Sequence, residues 1–260
     1  MNILDKIVIR KKEEVAEAKQ KVSVDQLEKS PNFYRKPLVF KDFLLDEKRT
    51  GIIAEFKRRS PSKGLINGKA DVAEVTKAYN LAGASALSVL TDIDFFGGTT
   101  EDLFKARAVN QIPILRKDFM IDEYQILEAK AWGADIILLI ASILTPLQII
   151  NFGKLAQSLG LNVLLEVHNL EELEKSICPH LNAIGVNNRN LGDFTVNIQT
   201  SFDLVDNIPS EFLKISESAI DNPEVIKQLK AVGYNGFLIG ENFMKTDNPG
   251  LAIKEFVEQL

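Results

Sequence analysis

From residue 51 onward the chain alternates with a regularity that few folds accommodate. Eight apolar, strand-like runs are predicted, at Ile52–Phe56, Ala86–Leu90, Pro113–Leu115, Ile136–Ile140, Val163–Val167, Ala183–Val186, Leu213–Ile215 and Gly236–Ile239. Helix-like stretches separate them, among them Asp71–Ala82, Glu101–Val109, Asp122–Trp132, Pro146–Leu159, Leu170–Ile177 and Pro223–Ala231. Several of these stretches end in a glycine signal, as in Ala82-Gly83-Ala84, Trp132-Gly133-Ala134, Leu159-Gly160 and Val232-Gly233, where glycine supplies a left-handed cap. Strand, helix, glycine, strand is the signature of parallel βα units. Eight such strands in about 210 residues match the count and length of a closed barrel. The fold class expected is therefore α/β, a (β/α)8 TIM barrel. An open doubly wound sheet is the competitor, but no strand is followed by a glycine-rich dinucleotide turn.

Residues before 51 read differently. From 2 to about 30 the apolar positions Ile3, Leu4, Ile7, Val8 and Val15 recur at helical spacing with charges between them, and Ser30-Pro31 stops the pattern. Phe33, Tyr34, Pro37, Leu38, Phe40, Phe43 and Leu44 predict a packed connection and a second small helix. Residues 1–50 are thus expected as an N-terminal helical extension packed on a single barrel domain spanning 1–260. A chain that is 45% hydrophobic can bury such a core. A net charge of −5 argues against a general nucleic-acid surface. The lone Cys178 excludes a disulfide framework, and neither an 18-residue apolar run nor an apolar signal core is found. A cytoplasmic enzyme or binding protein, away from membranes, is the expectation.

Chemistry in a βα barrel gathers at the C-terminal ends of the strands. In Ile52–Lys57 the period of two puts Ile53, Glu55 and Lys57 on one face and Ala54 and Phe56 on the other. An inward carboxylate and ammonium are costly unless they pair or meet a charged ligand. The first strand end therefore offers Glu55, Lys57 and Ser60, and the second Thr91, Asp92 and Phe96. The third offers Arg116-Lys117-Asp118-Phe119, the fourth Ala141-Ser142, and the fifth Glu166 and His168. The sixth offers Asn187-Asn188-Arg189-Asn190, the seventh Ser216-Glu217-Ser218-Ala219, and the eighth Gly240-Glu241-Asn242. One Lys–Glu pair alone is compatible with a strand-register role; the whole set is best offset by an anionic ligand. The last two strand ends read as a phosphate cup, with Ser218, Ala219 and Gly240 opening turns. Glu241 is expected to lend its N–H and point its side chain away. His168 and His180 lack metal spacing, so no metal site is expected, and Cys178 reads as a bystander. The loop from 58 to 69 is long and basic, carries Gly64 and Gly68, and is expected to close over a ligand.

Five segments together carry a specific resemblance. They are Ile53-Ala54-Glu55-Phe56-Lys57-Arg58-Arg59-Ser60-Pro61-Ser62, Pro113-Ile114-Leu115-Arg116-Lys117-Asp118-Phe119, Leu165-Glu166-Val167-His168, Ile184-Gly185-Val186-Asn187-Asn188-Arg189-Asn190-Leu191 and Ser216-Glu217-Ser218. In this order they resemble the indole-3-glycerol-phosphate synthases of tryptophan biosynthesis over nearly the whole chain. The resemblance implies a barrel enzyme without metal or organic cofactor. Its substrate would be a phosphorylated small molecule, 1-(2-carboxyphenylamino)-1-deoxyribulose 5-phosphate, which closes to indole-3-glycerol phosphate with loss of CO2 and water. Lys117 then lies at the general-acid position, where crowding by a second ammonium is expected to bring it toward neutral pH. Glu166 matches the carboxylate of the later stage. Lys57 is expected to pair with a substrate anion, Glu55 to orient Lys57 and Lys117, and Glu217 to bind a hydroxyl of the sugar-derived chain. Asn187 and Arg189 would hold polar substrate atoms, and Phe96 with Leu138 or Leu139 would wall the aromatic ring. Ala219 stands where the family usually has glycine. Three other readings remain: a Schiff-base enzyme with Lys117 as nucleophile, a retaining glycosidase using Glu166 and Glu217, and a non-catalytic phosphosugar-binding protein. Association with other enzymes of the pathway is left open.

Overall fold

The protein is seen in a computed structural model that describes residues 2–190, 192 and 194–260; Leu191, the last residue of one motif, lies outside them. The eight runs become β1 (Ile52–Phe56), β2 (Ala86–Leu90), β3 (Ile114–Lys117), β4 (Ile136–Ile140), β5 (Asn162–Val167), β6 (Ala183–Asn187), β7 (Leu213–Glu217) and β8 (Gly236–Ile239). Each pairs in parallel with its sequence neighbours, and β8 pairs back onto β1 through Ile52 opposite Phe237. The closed barrel expected from the spacing is therefore present. Alternation sorts each strand's side chains into two cores. Ala54, Phe56, Leu87, Leu139 and Leu165 face the surrounding helices. Ile53, Leu115, Leu138, Leu164 and Ile215 fill the lumen. Each such fully buried aliphatic side chain contributes about 1.5–3 kcal/mol.

Before the barrel come α1 (Ile3–Lys21), α2 (Val24–Glu28) and α3 (Phe40–Leu44). The single helix expected to about residue 30 is in fact broken. Val22 is extended, and Ser23 starts a new helix through a capping box with Gln26. The extension closes both ends of the lumen. At the bottom, Phe40 N–H donates to Asn162 at the start of β5, and Leu44 packs in the lumen cluster beside Gly236. Over the top, Ile7 joins the same cluster from α1.

The crossover helices are α4 (Val72–Leu81), α5 (Thr100–Val109), α6 (Glu123–Trp132), α7 (Pro146–Ser158), α8 (Leu170–Ser176), α9 (Gln199–Leu204) and α10 (Pro223–Ala231). After β8 follow α11 (Glu241–Met244) and α12 (Pro249–Val257). Neither α9 nor α12 is among the helices expected from the sequence. β3 runs on to Lys117, two charged residues past the expected apolar end, because its ladder to β2 continues through Arg116 and Lys117. The 58–69 loop contains a small hairpin, Arg59–Ser60 against Gly64–Leu65. Arg58 pins its base by gripping Asp102 and lying over the Phe56 ring. No helix among the described residues is long and apolar enough to cross a membrane.

Candidate active site

The C-terminal mouth of the barrel holds a cavity lined by Glu55, Lys57, Ser60, Phe96, Lys117, Glu166, Asn187, Arg189, Glu217, Ser218 and Glu241. With Ile140 at the end of β4, residues from all eight strand ends thus meet in one place, as parallel strands of a closed barrel require. An adjoining cavity shares Glu55, Lys57, Arg189, Ser218 and Glu241 and adds Ala219, Gly240 and Lys63. Ala219 and Gly240 therefore line the second cavity and not the first. Leu138 and Ile140 wall the first cavity, with Ile3, Leu4 and Ile7 of α1 closing it. Leu139 faces the helices instead, so the two leucines offered by the sequence divide by strand period.

The two lysines have separate partners. Lys57 Nζ lies 2.6 Å from Glu55 Oε1. Lys117 Nζ lies 2.9 Å from Glu166 Oε2 and 2.8 Å from Glu217 Oε2. Burial alone would push the Lys117 ammonium down, but Glu166, Glu217 and the more distant Glu55 outweigh it and hold its pKa well above the usual lysine range. The expected shift toward neutrality is thus overturned, because carboxylates crowd this ammonium rather than another ammonium. The glutamates split. Burial raises Glu166, yet Lys117 and His168 overcome this and hold it below the ordinary carboxylate range. Burial together with the Glu166 charge pushes Glu217 up to about 7, against the pull of Lys117. Two carboxylates in one site with opposite shifts are suited to different proton states near neutral pH.

Asn187 fixes Glu166 from the side, donating from Nδ2 to Oε1 at 3.1 Å. Its Oδ1 accepts from Ser218 Oγ and from the Arg189 N–H, both at 3.0 Å. Two glycines make room for the carboxylates. A Cβ on Gly240 would come within 2.5 Å of Glu55 Oε1, and one on Gly185 of β6 would collide with Glu217 Oε1. Gly240 thus serves Glu55 as well as the cup. Ser218 and Ala219 both adopt left-handed backbone, at φ 65° and 60°, a conformation costly for residues with a Cβ. The Glu241 side chain does not point away. Its two oxygens lie 3.5 Å from Lys63 Nζ and 3.5 Å from Arg189 Nη2, drawn inward by those two cations.

Three participants were undervalued in the sequence. Lys63 reaches the mouth from the hairpin. Lys11 of α1 is buried against Glu14, Asp92 and Asp118, at 2.6, 2.9 and 2.9 Å. His168, offered by the fifth strand end but given no role there, sits two residues past Glu166 and so on the same face. Its Nε2 faces Glu166 Oε1 at 3.4 Å, and its Nδ1 lies 3.0 Å from Glu172 Oε2.

A barrel that gathers two lysines and three buried glutamates at the face where barrel enzymes work, beside a cup rimmed by cations, has the site of an enzyme of small anionic substrates. The comparisons with known proteins narrow the class. The family model for indole-3-glycerol phosphate synthase matches residues 4–256. A synthase of that name from Bacteroides thetaiotaomicron is 46% identical, covering 100% of this chain and 99% of its own. One from Bordetella pertussis is 40% identical, covering 98% and 99%. The chain belongs to the indole-3-glycerol phosphate synthase family. Among solved structures, an N-acetylmannosamine-6-phosphate 2-epimerase from Clostridium perfringens superposes with TM-score 0.59 at 16% identity, covering 84% of this chain and 96% of that one. A thiamine phosphate pyrophosphorylase from Pyrococcus furiosus does so with TM-score 0.56 at 17% identity, covering 80% and 95%. These two share the barrel.

Proposed function

We propose that this mouth performs the synthase reaction with Lys117 as general acid and Glu166 as general base. The reaction takes 1-(2-carboxyphenylamino)-1-deoxyribulose 5-phosphate to indole-3-glycerol phosphate, CO2 and water. The carrying observation is the Lys117 ammonium suspended between Glu166 and Glu217 in the mouth cavity. As the aromatic carbon attacks the ketone, Lys117 protonates the developing alkoxide. After CO2 leaves, the hydroxyl takes a proton from Lys57, freed by loss of the carboxylate it had bound, and departs as water, while Glu166, kept ionised, removes a hydrogen from the methylene carbon of the new ring. Lys57, steered by Glu55, binds the substrate carboxylate. Glu217 meets a hydroxyl of the sugar-derived chain, and Asn187 fixes Glu166. Phe96 and Leu138 flank the aromatic ring. The phosphate enters the second cavity, where Arg189, Lys63, Ser218 and the backbone around Ala219 and Gly240 surround it, with Ser60 meeting the substrate from the first cavity, while Glu241 yields its cations. The tip of the hairpin near Pro61 and Ser62 closes behind the substrate.

We take the chain as one cytoplasmic barrel domain whose first 50 residues complete the mouth. A Schiff-base role for Lys117 is disfavoured by the same geometry, since an ammonium held by two carboxylates has no lone pair to attack with. Lys117→Ala is expected to cut kcat about 10²–10⁴-fold, the usual worth of a positioned acid, with unchanged far-UV circular dichroism. Near wild-type kcat in that variant, followed by indole fluorescence, would remove Lys117 from the acid role.

A further inference from the structure

A carboxylate is out of place in a cup for an anion, because like charges at close range repel. Glu241 nevertheless lines both cavities of the mouth. Its side chain is 34% exposed, so solvent is open to it. Its oxygens reach inward instead, Oε1 to Lys63 Nζ and Oε2 to Arg189 Nη2, each across 3.5 Å. The three residues come from three different strand ends. Lys63 lies in the hairpin after β1, Arg189 follows β6, and Glu241 follows β8. One carboxylate therefore spans the two cations assigned above to the phosphate.

We propose that Glu241 is a stand-in for the phosphate: in the empty mouth it holds Lys63 and Arg189 at the rim and ties down the hairpin tip, and the incoming phosphate displaces it. The inference rests on the second cavity taking the phosphate.

The way the hairpin is held carries the argument. At its base Arg58 grips Asp102 of α5. Just beyond it, Asn67 Nδ2 donates to the carbonyls of Met244 and Thr246, at 3.2 Å each. Inside the turn, Ser60 Oγ accepts from the Lys63 N–H at 3.2 Å and lies 3.3 Å from Ser62 Oγ. Those contacts stiffen the turn without joining it to the barrel. Between the two anchors the tip reaches across the mouth through the Lys63–Glu241 pair. No other ion pair joins residues 59–66 to a second element among the described residues.

A phosphate dianion brings more charge and more acceptor oxygens than a carboxylate, so it takes both cations. Glu241 then turns to solvent. Lys63 keeps the tip over the mouth in both states, paired to Glu241 before binding and to phosphate after it. When product leaves, Glu241 recovers its partners and opposes rebinding. The cup is thus less retentive than its cations alone would make it, and its rim keeps its shape while empty.

Inorganic phosphate is the probe, followed as a competitive inhibitor and by titration calorimetry, and hydrogen exchange over residues 59–66 reads the hairpin. Glu241→Gln keeps the shape of the side chain and removes its charge. It is expected to bind phosphate about tenfold more tightly, the worth of two partly exposed ion pairs. When empty it should exchange faster than wild type over residues 59–66, and saturating phosphate should erase that difference. On a Lys63→Met background the tightening should shrink to about threefold, since only Arg189 remains to be freed. High salt should loosen the empty hairpin of wild type and leave that of Glu241→Gln as it is. Equal or weaker phosphate affinity in Glu241→Gln would make the carboxylate a plain prop of the rim, and an unaltered empty hairpin would mean that it ties nothing down; either overturns the proposal. The cup is tested apart from the stand-in. If inorganic phosphate did not compete with substrate in wild type, the assignment of the second cavity would fall, and this inference with it.

Discussion

Ala219 stands at φ 60° directly after Ser218 at φ 65°, and left-handed backbone costs a residue with a Cβ about 1–2 kcal/mol. Glycine escapes that cost but adds about 0.4–1 kcal/mol of unfolded-state entropy. Ala219→Gly should therefore stabilise the protein by about 0.5–1 kcal/mol in urea unfolding with kcat unchanged; a loss of stability would show that the strain lies elsewhere. Glu217 gives a prediction of pH dependence. Raised to about 7, it holds a proton in the native state where the unfolded chain has released it. The native state then binds more protons from the ordinary glutamate range up to about 7, so this group makes stability fall as pH rises through that window. Glu217→Gln removes that slope, and the variant should gain on wild type in unfolding midpoint from pH 5 to pH 8. A constant difference would show that Glu217 is ionised throughout. The individual site residues were legible because barrel strands deliver their last side chains to one place. Their pairings were not. Which carboxylate reaches Lys117 depends on register across β3, β5 and β7, and from sequence the nearer-looking partner was the other lysine.

At the scale of elements, α1 is tied over the mouth by one buried ion cluster. Lys11 is 3% exposed and meets Asp92 after β2, Asp118 after β3 and its own Glu14. Asp118 also takes Arg116 and Thr91; despite burial, these cations hold it below the ordinary carboxylate range. Removing one partner of a buried ion pair costs about 3–5 kcal/mol, comparable with what α1 gains by burying Ile7 and Val15. Lys11→Met should therefore free α1 locally rather than unfold the barrel. Hydrogen exchange is expected to rise across residues 3–21 while β1 to β8 stay protected, and KM should rise more than kcat falls, because Ile3, Leu4 and Ile7 leave the cavity wall. Uniform exchange throughout the chain would show that α1 is integral to the global fold. The existence of this helix was plain from its period, whereas its end was not. Ser23-Val24-Asp25-Gln26 carries a capping box, but helical spacing continued past it and masked the break. α9 escaped for another reason. Gln199–Leu204 is short, and its N-terminal side has no side-chain cap to announce it.

For the molecule as a whole, the barrel concentrates buried charge at one end and so ties stability to pH. Glu166 is held below its ordinary range, which makes stability climb as pH rises toward about 4.5, the ordinary glutamate value. Glu217 works in the opposite sense up to about 7. His168, raised from 6.5 to about 10, keeps a proton that the unfolded chain gives up. Its contribution is complete below pH 6.5 and is lost as pH rises through 10. Across that interval the linkage slope approaches about 1.4 kcal/mol per pH unit for a single proton, lessened in practice because the ring is 11% exposed. Lys11 and Lys117 are raised too, but they begin to count only above the usual lysine range. The decline between pH 6.5 and 10 thus belongs chiefly to one imidazole. Wild type should be most stable on the mildly acid side, and its urea midpoint should fall steadily toward pH 10. In His168→Gln that limb should flatten, with the two proteins differing most near pH 6 and converging near pH 10. Parallel curves would mean that His168 is neutral in the folded protein.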